Sequence, residues 1–174
     1  MSTMTMMIVQ PDGNVVPHAE FGNAWGFQPR IWWMLCDTYK IGPGDAFMKQ
    51  WPELWRADKD NTIALAMFER FVLHSTYDKA IVPAKDFAAY AYALESFYAR
   101  YRDPAKVDHL GAVALAVRTL PADARGLCYW GTSVTDNPWA MQLAEEEEGE
   151  FSCRPYNVDT DTGHWWVDMS GVQV

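Results

Sequence analysis

The chain reads as one α+β domain, with a mainly helical middle over about residues 29–119 and strands supplied by its two ends. Three observations predict this. Apolar residues recur at helical spacing through the centre, β-prone runs bounded by turn residues occupy both termini, and no linker or internal repeat divides the chain. At 174 residues it can bury a core without disulfide or metal staples, and 49% hydrophobic with 21% charged residues is a globular balance.

The opening is a hairpin. "MTMMIVQ" is β-prone, "PDGN" at 11–14 carries turn chemistry, and Val15 and Val16 begin the return. "FGNAWGFQP" is an ordered loop leading into a helix, with Pro29 in the first turn and Gly22 and Gly26 allowing tight packing around Trp25. Trp32, Leu35, Cys36 and Tyr39 form that helix's stripe, which "IGPG" at 41–44 ends. Phe47, Trp51, Leu54 and Trp55 share the next helical face, which Pro52 is expected to kink or split. A third helix is expected from Asp60 or Asn61, with Ile63, Met67, Phe71 and His74 on one side. "KDFAAYAYALESFYARYR" carries the broadest apolar face, from Phe87 through Leu94 to Tyr101. Asp103 and Pro104 then start a helix with Val107, Leu110, Ala114 and Val117 inward.

Beyond Pro121 the pattern alternates. "GLCYWGTSV" is a strand, "TDNPW" a turn, and "FSCRPYNV" and "HWWVDM" two further strands around "DTDTG". Those alternating aspartates invite a calcium reading. An EF-hand loop needs Gly at its sixth position and Glu at its twelfth; counted from Asp159, Gly163 is fifth and Ser170 twelfth. "DTDTG" is therefore a hairpin loop whose aspartates bond nearby backbone and whose glycine takes a positive φ.

The remaining chemistry is sparse. His74-Ser75-Thr76 matches one half of a two-histidine phosphoesterase pattern, but no second copy exists among His18, His109 and His164. The alternative to a binding role is a small hydrolase or small-molecule-binding protein with a site assembled around His74 and Asp78, joined by Asp108 and His109. No local zinc signature, phosphate loop, nucleophile elbow or dinucleotide fingerprint is present, so no metal or cofactor is expected. Cys36, Cys128 and Cys153 read as reduced, mostly buried thiols of a cytoplasmic protein, Cys128 and Cys153 as inert strand residues. The start lacks a signal-peptide pattern, and no apolar run is long enough to span a membrane.

A net charge of −9 argues against direct binding to nucleic acid. It suits a protein partner with a basic surface, approached by desolvated aromatic anchors. Nine tryptophans are a surplus, and Trp25, Trp139, Trp165 and Trp166 are the expected contacts, with the acidic run Glu145, Glu146, Glu147 and Glu148. A self-associating assembly component is a third reading.

The segments "PDGNVVPHAEFGNAWG", "LHSTYDKAIVPAKDF", "TSVTDNPW" and "GHWWVD" resemble pieces of small conserved bacteriophage proteins of unknown function. That resemblance implies a compact protein made inside a bacterial host, and an inhibitor of a host protein, such as one that handles nucleic acid or serves defence, is the function it implies. It brings no site residues with it.

Overall fold

The computed structural model of the chain describes residues 2–42, 47–103, 109–132, 134, 136–145 and 151–168; for 47–50, 143–145, 151 and 152 it describes the backbone course alone. Five helices and a five-stranded mixed sheet make the α+β fold. No described helix is long and apolar enough to cross a membrane.

The opening hairpin forms as expected, with β1 over Thr3–Val9 and β2 over Val15–Gly22. Its turn is closed by Asp12, whose Oδ1 accepts the Asn14 amide at 3.1 Å, and by Gly13 at a φ of 85°. Pairing slips at the Met6/Met7 step, where Ala19 and then Pro17 face successive residues. This bulge leaves His18 over, and Pro17 sits harmlessly on a sheet-edge strand. On its other side β1 pairs with β4, Gly126–Gly131, which in turn pairs with β3, Ala80–Pro83. The short β7, Trp165–Trp166, completes the sheet in parallel beside β3. β5, Gln142–Glu145, and β6, Phe151–Arg154, form a separate antiparallel pair.

The helices are α1 over Gln28–Tyr39, α2 over Phe47–Lys59, α3 over Met67–Ser75, α4 over Phe87–Tyr101 and α5 over Leu110–Arg118. Pro29 lies in the first turn of α1, and Lys40 ends it in the left-handed region. Pro52 does not split α2, which runs through it. The third helix starts later than Asp60, because Asn61 takes a φ of 51° and the Thr62 amide bonds back to Ala57, closing α2 there. β3 is a strand inside the expected helical middle, four residues long and read from sequence as neither element. The expected helix start at Pro104 lies outside the described residues; α5 is described from Leu110.

Strand β1 has almost every residue buried, and successive side chains serve opposite faces. Met4 and Met6, with Leu127, Tyr129 and Val82 from neighbouring strands, join the main core under the helices. There they meet Ile31 and Leu35 of α1, Phe71 of α3, Leu94 and Phe97 of α4 and Val113 of α5. Met7 and Val9, with Ile81 and Cys128, form a second core on the opposite face, closed by Trp139, Tyr156 and Val158.

Two expectations change here. Trp139 is not a surface anchor: it is 3% exposed, its indole Nε1 donates to the Tyr129 carbonyl at 3.1 Å, and its ring meets Tyr156 edge-on at 5.3 Å. The turn before it does form, with Asn137 Oδ1 accepting the Trp139 amide at 2.9 Å. Nor is "DTDTG" a hairpin loop, since β6 pairs with β5 and β7 with β3. It lies in a connection locked by ion pairs. Asp161 takes Arg154 at 2.6 and 2.9 Å and the Asn157 amide at 2.8 Å, and Asp159 takes Arg125 at 2.7 and 2.9 Å. These contacts hold both carboxyls below the ordinary aspartate range, the hydrogen bond from each arginine contributing most. Gly163 has the expected positive φ, 89°.

Substituting Trp139→Ala should therefore cost about 3–5 kcal/mol of stability, as emptying an aromatic core site does. Trp25→Ala, at a 40% exposed position whose ring meets Trp51, should cost clearly less, about 1 kcal/mol. Denaturant unfolding of the two variants side by side measures both.

Candidate functional site

The residue that organises the helical side is Glu69, fully buried in the first turn of α3. Its Oε2 accepts the Ala66 amide at 2.7 Å, half of a capping box, because Ala66 has no side-chain acceptor to return the bond. The same carboxylate accepts the hydroxyls of Tyr39 in α1 and Tyr101 in α4, with Arg100 Nε at 3.4 Å. Three helices thus meet on one charge. At the other end of α3, Thr76 Oγ1 accepts the Trp32 indole N–H at 2.7 Å and donates to the Leu73 carbonyl, while Ser75 is bonded to Tyr90. The "HST" string is consequently a helix terminus with its hydroxyls committed to structure.

These ties place an aromatic cleft between α1, α2 and the end of α3, with a volume of about 290 Å³. Trp32 forms its floor, Trp51 and Trp55 come from one face of α2, and Tyr77 and Asp78 close it. The rings touch in series: Trp32 lies 4.4 Å from Trp51 and 5.6 Å from Trp55, and Trp55 lies 3.8 Å from Tyr77. Trp25 extends the row toward solvent, 6.3 Å from Trp51, and Trp165 extends it from Tyr77 at 5.6 Å. Burial raises the Asp78 carboxyl above its ordinary value, and burial with the charge of Asp58 raises the Tyr77 phenol. The cleft thus brings four aromatic side chains together beside one carboxyl group.

Of the residues expected to form a catalytic set, His74 and Asp78 do not pair. His74 Nε2 donates to Asp58 Oδ2 at 2.7 Å, and Arg70 Nε holds the other oxygen at 3.0 Å. His109 serves elsewhere: its Nε2–H is directed at the carbonyls of Gly22 and Asn23, and its ring fills the space where Gly26 lacks a Cβ. Gly26 is thus small for His109, not for Trp25. Asp108 lies outside the described residues. Among the described residues no group of three or more His, Cys, Asp or Glu could hold a metal. Cys36 and Cys128 are buried thiols outside any disulfide, Cys36 pushed up to about 11 by burial and the charge of Glu53. Cys153 is exposed instead of buried.

Of the expected aromatic contacts, Trp25 and Trp166 are exposed, at 40% and 38%. Trp165 is half-buried, its indole donating to the Asp78 carbonyl at 3.3 Å. Glu146, Glu147 and Glu148 lie outside the described residues, and Glu145 ends β5 with its side chain outside them too. Sequence reading passed over the cleft itself. Trp32, Trp51 and Trp55 sit on helical stripes, which by periodicity alone read as inward faces; the surplus of tryptophan on two adjacent stripes is the available signal.

The chain matches no protein-family model, no curated protein and no solved structure.

The Asp58 pair has a pH signature. Burial alone would raise this carboxyl, but the hydrogen bonds and charges of His74 and Arg70 outweigh it and bring it below its ordinary 3.8. A depressed carboxyl contributes stability that is full above its unfolded value and is lost as pH falls through its lower folded value. Asp58→Asn should cost about 1–3 kcal/mol near neutrality and flatten the loss of stability below pH about 4. Melting temperature followed against pH for both proteins checks this, and equal acid slopes would count against it.

Proposed function

We propose that the protein works by binding a protein partner, receiving a basic side chain of that partner in the aromatic cleft. One observation carries this reading: Trp32, Trp51, Trp55 and Tyr77 surround a concave space beside Asp78, in a chain of net charge −9. A cation over an indole face gains about 0.5–2 kcal/mol, more as it loses water. An acidic protein also meets a basic one faster than a neutral one does. Trp25 and Trp165 continue the aromatic row on either side of the cleft, giving the partner neighbouring apolar surface. The resemblance to bacteriophage proteins favours a bacterial host protein as the partner. A nucleic-acid-handling or defence protein fits best, because its basic groove is the surface an acidic inhibitor can occupy. The alternative of a small hydrolase loses its expected His74–Asp78 pairing, because His74 is engaged by Asp58.

Tagged wild type, Trp55→Ala and Asp78→Lys should be used to capture partners from a bacterial lysate over a salt series. The expected result is one stoichiometric protein bound by wild type, released as salt rises and reduced at least tenfold with either variant. Retention of the same protein by both folded variants would overturn the role of the cleft, and capture of none would overturn the reading as a whole.

A further inference from the structure

A second cleft, of about 280 Å³, opens on a different face of α1. Spacing of three and four residues brings Arg30, Trp33, Met34, Asp37 and Thr38 to one side of that helix, and Tyr101 and Asp103 from the end of α4 complete the walls. Arg30 is the anomaly. It is only 8% exposed, and its Nε has no hydrogen-bond acceptor. Among the described residues no carboxylate or carbonyl pairs with its guanidinium, whose contact is the Trp33 ring at 4.8 Å. Burying a cation without a counter-ion is costly, and a π face replaces only part of what an anion would supply.

A charge held in this way needs a reason, and the cleft in front of it provides one. We propose that this cleft binds a free amino acid with an apolar side chain. The planar guanidinium of Arg30 matches a carboxylate in fork-to-fork geometry. Asp37 and Asp103 give the walls negative charge suited to the ammonium; Asp37 has Lys40 at 3.6 Å in an exposed and exchangeable pair. Trp33 and Met34 provide apolar wall for the side chain. The volume, just below the roughly 300–1,000 Å³ of drug-sized pockets, suits a ligand of this size. The two acidic groups also disfavour a phosphate dianion. This site is independent of the aromatic cleft and of any protein partner.

Isothermal titration calorimetry of the full chain with L-phenylalanine, L-leucine and L-methionine tests the proposal. The controls are 3-phenylpropanoate, phenethylamine and inorganic phosphate. At least one amino acid should bind with one-to-one stoichiometry, at least tenfold tighter than the acid or the amine alone. Arg30→Lys keeps the charge but loses the fork and should weaken binding tenfold or more; Arg30→Met should abolish it. Without ligand, Arg30→Met should melt at or above the wild-type temperature, which a structural arginine would not allow. Should Arg30→Met fail to fold, that prediction is refuted, and Arg30→Lys with Asp103→Asn decides the binding site. Absence of binding by all three amino acids, tighter binding of phosphate, or amino-acid binding indifferent to Arg30→Lys and Asp103→Asn would each overturn the proposal.

Discussion

A strand buried on both faces is the constraint from which the rest of this structure follows. β1 lies between β2 and β4 in the sheet, so its backbone hydrogen bonds are met on both sides and its side chains must be covered above and below. Helices cover one face, with Met4 and Met6 beneath them. The other face cannot remain open, because Met7, Val9, Ile81 and Cys128 would form an exposed apolar patch. Trp139, from the connection between β4 and β5, and Tyr156 and Val158, from that between β6 and β7, provide the cover.

That requirement explains the polar residues around the cover. A loop acting as core must be fixed in place, and Arg125 and Arg154 do this by gripping Asp159 and Asp161. Asn157 ties the same segment to the hairpin turn, donating to the Asp12 carbonyl at 2.9 Å. Gly13 lacks a side chain where Asp159 and Asn157 approach closest; a Cβ there would lie 2.5 Å from the Asp159 carboxylate. The alternating aspartates are thus ligands for arginine, and their spacing reflects two guanidinium partners on different elements.

On the helical side, a few buried polar bonds fix geometry that packing alone would leave loose. Glu69 joins α1, α3 and α4, and Thr76 joins the end of α3 to Trp32. α1 is consequently held from two sides, and its two free flanks become the walls of two clefts with opposite chemistry. One gathers aromatic rings beside a carboxyl group, while the other holds a buried arginine that no carboxylate among the described residues pairs. Both proposed sites are walled largely by helices, so a ligand there would meet a preformed shape at little ordering cost.

Local order was legible in the residues. The "PDGN" turn, the Pro29 start of α1 and the unbroken stripe of α4 depend on neighbours within a few positions, so periodicity and turn chemistry determined them. The charge and the lack of catalytic motifs were equally readable, and so was the α+β class. What depended on partners far along the chain was not. Trp139 and Trp25 have similarly polar neighbours in sequence, yet one fills a core and the other faces solvent. β3 and β7 are four and two residues long, too short to show a period; β7 pairs with β3 across some eighty positions, and β3 also pairs with the distant β4. His74 finds Asp58 and not Asp78 because successive helices bring distant faces together, and Arg30 is buried where the end of α4 meets α1. Sequence determined which residues would seek cover; the tertiary fold decided what covered them, since burial is settled by contacts between segments and not within them.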